Sequence, residues 1–388
     1  MSLQDFLQPI ELDFPEEEYG VDMLHEVIQV HTSKSFPDLA GCQIAIFGVD
    51  EDRNAPQNQG CIHGADVIRE YLYKLANFDI PPVIADLGNV KAGATISDTY
   101  AAVKTISGEL ISQNCLPILI GGSQDLTFGT YMAYEALEQT VNVVTVDARL
   151  DFGASPEETL STNYLNKVLL HSPNYLFNYS NIGHQRYLVG KDLIELMEKM
   201  YFDLHRLGVV AGDIQIIEPV VRNADIVSFD ISAIRASDAP GSGMAGPNGL
   251  YGDQACQIAR YAGMSDKLSA FGIYEYNPGM DPTGITAHLI AQMIWCFVEG
   301  FQLRKKDYPI GNKDDYIKYM VDLSKHGHQL VFYKSPRSDR WWMDVPYPAG
   351  SKNKYERHHL VPCTYADYQC ATNEEMPDRW WRTYQKLT

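Results

Sequence analysis

Four short stretches of this chain place acids or amides directly after apolar runs. Asp147-Ala148-Arg149-Leu150-Asp151 follows Val141-Asn142-Val143-Val144-Thr145-Val146. That run is short, β-branched and almost unbroken, the pattern of a parallel strand buried on both faces. Gly121-Gly122-Ser123-Gln124-Asp125 ends a second such run, Ser228-Phe229-Asp230-Ile231-Ser232 a third, and Tyr274-Glu275-Tyr276-Asn277-Pro278 a fourth. Parallel strands bring their C-terminal ends to one rim, where open α/β sheets bind ligands. A single Asp after a strand is ordinarily a helix cap or a turn residue. Four strand ends with the same habit are different: their acids repel one another unless a cation or an arginine offsets them. Metal-assisted or cation-directed chemistry is what such a rim can do.

The elements that must position these residues are legible from Cys42 onward. Strands are expected at 43–49, 82–88, 116–121, 141–146, 175–182, 225–231 and 267–275, with helices near 64–75, 97–113, 126–137 and 283–301. Alternation of this kind makes βαβ units with right-handed crossovers and a parallel sheet covered on both faces. The count is about eight strands, so an open sheet is expected and a closed barrel is the alternative. Residues 149–174 are weakly patterned and suit a loop over the strand edge. Residues 1–40 read as an acidic, proline-punctuated arm with one helix near 21–30, residues 41–305 as the α/β domain, and residues 306–388 as a C-terminal extension. The extension carries Trp341, Trp342, Trp380 and Trp381, four of the five tryptophans, and repeats Asp-Arg-Trp-Trp at 339–342 and 378–381. Aromatics of this size usually pack onto the body; the sharper reading is a surface for a protein partner or for self-association, since Trp and Arg are common interface anchors.

A net charge of −19 excludes nucleic acid and anionic membrane as natural partners. The seven cysteines are odd in number and widely spaced with no CxxC pair, which points to a reducing compartment without structural zinc. The N-terminus lacks the basic and apolar regions of a signal peptide, and the longest apolar stretch, 289–298, is too short to span a bilayer. A cytoplasmic location is expected.

In motif order and spacing, residues 40–305 resemble the ureohydrolase family of arginases, agmatinases and formimidoylglutamases. The family's Gly-Gly-x-His stands here as Gly121-Gly122-Ser123-Gln124, its Asp-Ala-His-x-Asp as Asp147-Ala148-Arg149-Leu150-Asp151, and its Ser-x-Asp-x-Asp as Ser228-Phe229-Asp230-Ile231-Ser232 followed by Asp238-Ala239-Pro240-Gly241. Glu-x-Asn-Pro stands as Glu275-Tyr276-Asn277-Pro278. The stretches Gly60-Cys61-Ile62-His63-Gly64 to Arg69 and Ile182-Gly183-His184-Gln185-Arg186 also look familial. The resemblance implies an arginase-like three-layer αβα fold. It also implies two Mn²⁺ ions that activate a shared hydroxide against an amidine or guanidinium carbon, held by two His and four Asp.

Three of those six ligands are substituted: Gln124 and Arg149 replace histidines, and Ser232 replaces an aspartate. The first metal position would retain Gln124, Asp147, Asp151 and Asp230, all oxygen donors suited to Mg²⁺, Mn²⁺ or Ca²⁺ rather than Zn²⁺. The second would see Arg149, which cannot act as a ligand, and Ser232, a poor one. A guanidinium from position 149 is expected to pair with Asp147 or Asp230 in place of that metal. The expectation is a ureohydrolase-fold protein with a degraded dinuclear site, catalytically inactive, without a cofactor and acting as a binding or assembly component. The alternative is a formimidoylglutamase-like C–N hydrolase working with one Mn²⁺ or Mg²⁺ or an altered ligand set, with Asp147, Asp230 and Glu275 as its catalytic acids. Glu275 survives to orient a small cationic or amidine ligand, with Ser161, Asn163 and His184 as further ligand-binding candidates; His63 and His288 are weaker ones, and packed histidines are the ordinary case.

Overall fold

A computed structural model describes residues 3–11, 22–153, 160–309, 313–323, 327–348 and 355–388. Ten strands form the main sheet: β1 (Leu7–Gln8), β2 (Ile28–Val30), β3 (Ile44–Asp50), β4 (Ile84–Lys91), β5 (Leu116–Gly121), β6 (Val141–Val146), β7 (Leu176–His184), β8 (Asp203–Arg206), β9 (Ile226–Asp230) and β10 (Ala270–Tyr274). Their order is β1-β4-β3-β5-β10-β9-β6-β7-β8, with β2 also on β4. All pairings are parallel except β1 with β4. The sheet ends at β8 without returning to its start, so it is open and the barrel alternative is excluded.

Every residue of β5, β6, β9 and β10 is buried. That is why their sequences run apolar without alternation: helices cover both faces. One core packs Ile46, Ile118, Val144, Val227 and Phe271 against the helices Gly252–Gly263 and Ile285–Gln302. The opposite core packs Phe47, Leu119, Val143 and Tyr274 against Ile96–Ser112 and Thr127–Ala136. The helix Ile96–Ser112 starts at a capping box in which Thr95 and Asp98 satisfy each other's backbone N–H groups. The three-layer αβα architecture expected from the sequence is therefore present.

The helix expected near 21–30 is not formed among the described residues. Leu24–Glu26 is a single 3₁₀ turn, and Ile28–Val30 pairs with β4. The β-branched Val27, Ile28 and Val30 favour a sheet edge over a helix. β1 and β2 thus join two short segments of the N-terminal region to the main sheet.

The last eighty residues add an antiparallel meander of β11 (Ile317–Leu323), β12 (His328–Lys334), β13 (Trp341–Asp344) and β14 (Leu360–Cys363), followed by helices Tyr365–Thr372 and Asp378–Leu387. It packs on the body. Arg222 donates to the carbonyls of Trp341 and Cys363 and lies 4.7 Å from the Trp342 ring centroid. Arg357 pairs with buried Asp225, and Phe177 stacks on His358. Trp341, Trp342 and Trp380 are buried, so they are core residues; Trp381 is 42% exposed. The two Asp-Arg-Trp-Trp segments take different structures, a turn into β13 and the first turn of the last helix. No helix of the described residues is long and apolar enough to cross a membrane.

Candidate functional site

Asp147 continues β6 by one residue, its N–H donating to Ile182 O of β7 at 2.9 Å. Its Oδ1 then accepts the Arg149 N–H at 2.7 Å, an Asx turn that bends the chain over the sheet edge. Asp151 follows with φ +39. Asp230 is the last residue of β9, and its Oδ1 accepts the Ser232 N–H at 2.6 Å. One oxygen each from Asp147, Asp151 and Asp230 lies within 4.8 Å of the others. Glu275 follows β10 with φ +66, a left-handed conformation that costs a non-glycine residue on the order of 1 kcal/mol. Its Oε1 accepts from the Gln124 N–H at 2.9 Å, and its Oε2 from Asn58 Nδ2 at 2.8 Å. The rim is tight: a Cβ on Gly122 would lie 1.9 Å from Glu51 O. The four strand ends expected to meet do meet.

Burial dominates the electrostatics. Asp151 and Asp230 are pushed well above the ordinary carboxylate range, first by burial and then by the neighbouring Asp147 charge. Burial also raises Asp147, against hydrogen bonding from Asp151 and the nearby Arg149 charge. Burial lifts Glu275 to about 7 despite the hydrogen bonds from Asn58 and Gln124. Without a cation the cluster is driven to hold protons.

The hydrogen-bond network assigns the Gln124 amide. Its NH₂ donates to Asp151 Oδ2 at 2.7 Å and Asp147 Oδ2 at 3.3 Å, while its oxygen accepts from Ser228 Oγ at 3.2 Å. Without a cation Gln124 thus meets the carboxylates as a donor; the opposite orientation, with Nε2 donating to Ser228 Oγ at 3.2 Å, turns its oxygen to them. Arg149 is half-buried, and among the described residues its guanidinium makes no hydrogen bond or ion pair; the expected pairing with Asp147 or Asp230 is not formed. The Asx turn accounts for this, since Arg149 reaches Asp147 through its backbone N–H. Ser232 Oγ is buried with no hydrogen-bond partner. A guanidinium and a hydroxyl at two of the ligand positions do not fit a two-metal centre. The three clustered carboxylates are a donor set for one divalent ion at most.

Ser161 is brought to the site: it hydrogen-bonds Glu275 and anchors its own loop through Asn54 O. Asn163 is one turn away, and its Oδ1 accepts the Leu160 N–H at 2.8 Å. His184 ends β7 beside the cluster but lines a different cleft. His63 and His288 are exposed, the latter stacked on Tyr71. Sequence reasoning missed Asn58, which supports Glu275, and a buried group in which Asn54 and Tyr100 both donate to Asp125. It also missed Tyr164, buried among the acids with its hydroxyl unpartnered. The signal for the two asparagines was the unusually polar run 51–60 directly after β3.

Comparison with known proteins gives the family and the fold. The model of the arginase family matches residues 42–299. Formimidoylglutamase from Staphylococcus haemolyticus (strain JCSC1435) is 25% identical over 269 residues, covering 66% of this chain and 85% of its own length. The enzyme of the same name from Staphylococcus aureus (strain MSSA476) is 26% identical over 268 residues, covering 66% and 86%. Among solved structures, formimidoylglutamase from Bacillus subtilis subsp. subtilis str. 168 superposes with a TM-score of 0.66 at 19% identity, over 78% of this chain and 98% of that one. Trypanosoma cruzi formiminoglutamase with Mn²⁺ gives 0.63 at 20%, over 70% and 97%. At these identities the structural likeness speaks for the fold alone.

Proposed function

The chain belongs to the arginase family, and from that premise we propose that it uses the family's frame as a binding and assembly component without two-metal hydrolysis. The observation that carries the reading is the donor set: Gln124 turned to the acids as a donor, Arg149 and Ser232 in place of ligands, and carboxylates held as a hydrogen-bonded group. The acidic cluster suits a small cationic or amidine ligand, with Glu275 as its partner. The test is manganese content after incubation and dialysis, read beside release of ammonia, urea or formamide from formimidoylglutamate, agmatine and arginine. The reading expects less than one ion per chain and no product. Two ions with turnover would end it.

A second reading is favoured by the surviving triad of Asp147, Asp151 and Asp230. One Mn²⁺ or Mg²⁺ held there would supply Lewis-acid chemistry, and Glu275 would orient the amidinium of a formimidoylglutamase-type substrate. One tightly bound ion together with turnover identifies this case.

We propose that assembly, if it is self-association, runs through β11 of the C-terminal extension. Among the described residues β11 pairs with β12 alone, leaving one edge of the meander unpaired. Its outward residues are Lys318, Met320 (55% exposed) and Asp322. Antiparallel pairing with a second copy about Met320 sets Lys318 opposite Asp322 twice and the exposed Met320 side chains against each other. The edge is self-complementary in charge and in apolar character, as an isologous interface requires.

A further inference from the structure

A cleft of about 480 Å³ opens beyond the ends of β7 and β8, lined among others by His184, Arg186, Tyr187, Arg206, Arg235 and Tyr251. None of the acidic cluster lines it. Three arginines line it in a chain of net charge −19. Only Arg235 has a carboxylate: it pairs with Asp238 at 2.9 Å and lies 3.8 Å from the Tyr251 ring centroid, which fixes its plane. Arg186 and Arg206 are exposed, and no carboxylate of the described residues lies within ion-pair distance of either. Both line the cleft beside like-charged neighbours, which is unfavourable unless an anion completes the group.

His184 provides the second observation. It is 2% exposed, lines the cleft, and its Nδ1 has no hydrogen-bond partner. Buried polar atoms of this kind are rare and cost about 1–3 kcal/mol when left unmatched. Burial and the charges of Arg206 and Arg186 press its pKa down to about 4, against a hydrogen bond to the His205 backbone, so at neutral pH the ring is neutral and carries a single N–H. The Tyr187 hydroxyl stands at the mouth, tied to Gln185 and Asn248. The floor is therefore ordered while the two exposed arginines remain available.

We propose that this cleft binds a small multiply charged oxyanion, a dicarboxylate or a phosphate, through the forked donors of Arg186, Arg206 and Arg235 with His184 beneath. Guanidinium groups match both classes bidentately, and the volume accommodates a molecule of that size rather than a nucleotide chain or a peptide. The proposal does not depend on the state of the acidic cluster, because it invokes neither metal nor turnover.

The test is isothermal titration of the full, EDTA-treated chain with glutarate and, separately, with inorganic phosphate, at constant ionic strength set with chloride. One saturable site for either anion is expected, with the better ligand naming the class. R186Q/R206Q should weaken it at least tenfold, whereas R186K/R206K, which keeps charge but loses the forks, should fall between. Both positions are exposed, and R206Q alone gives a second variant with an even smaller demand on folding. No saturable binding of either anion, or equal affinity in wild type and R186Q/R206Q, would overturn the proposal.

Discussion

Replacing Asp151 by Asn should stabilise the metal-free protein, and increasingly so as pH rises. Asp151 accepts from the Gln124 amide at 2.7 Å and shares a hydrogen bond with Asp147. An asparagine reproduces both: its oxygen accepts from Gln124 and its NH₂ donates to Asp147. What it removes is the obligation to hold a proton. The folded-state pKa of Asp151 is raised well above its value of 3.8 in an unfolded chain, chiefly by burial. A raised acid stabilises the folded state fully below the unfolded pKa and loses that contribution as pH climbs toward the folded one, because the unfolded chain then binds fewer protons. Each pH unit in this window costs wild type about 1.4 kcal/mol. Asp151→Asn lacks that slope, so its advantage over wild type should grow as pH rises from the unfolded carboxyl value toward the raised folded one. Guanidinium unfolding at pH 5, 6, 7 and 8 in EDTA measures it. A constant offset between the two proteins across this range, or a variant less stable at pH 8, would refute the idea that the cluster stores protons in place of metal.

The triple variant Gln124→His, Arg149→His, Ser232→Asp should regain manganese; at a free concentration of 100 Kd each recovered ion adds about 2.7 kcal/mol to unfolding stability, and a folded variant that binds none means the motifs are misassigned. Lys318→Asp should abolish concentration-dependent dimers in sedimentation velocity, and Lys318→Asp with Asp322→Lys should restore them; equal behaviour of single and double variants contradicts pairing through β11. Trp380→Ala removes a side chain of 0% exposure whose Nε1 donates to Asp344 O. It should lower stability by about 3–5 kcal/mol, and an unchanged unfolding curve would mean that the last helix is not anchored there.

The part of the fold that positions the site was legible because its strands are buried on both faces. β3, β5, β6, β9 and β10 carry unbroken apolar runs, and each run stops at the polar residue that matters. What escaped lacks that signature. β8 is an edge strand of sequence Asp-Leu-His-Arg, partly exposed at each position. β2 was read as a helix because three residues cannot display a period. The meander of 317–363 is antiparallel, and Trp341-Trp342 extends as strand while the same tetrapeptide at 378–381 coils as helix. Tertiary contacts, not local propensity, decide between them. Within the site, the identities of the acids were readable, but their partners were not. Asn58 reaches Glu275 across 217 positions of sequence, and the direction of the Gln124 amide turns on Ser228, Asp147 and Asp151, none of them its neighbour in sequence. The Arg149 guanidinium was expected on the carboxylates, and the Asx turn at Asp147 was not foreseen.

The central claim is that Gln124, Arg149 and Ser232 leave no two-metal centre. Metal analysis of the full chain after manganese loading and dialysis, with formimidoylglutamate turnover read on the same sample, tests it most directly. The account predicts less than one manganese per chain and no formamide above the protein-free control. Two manganese ions per chain with formamide release would contradict it.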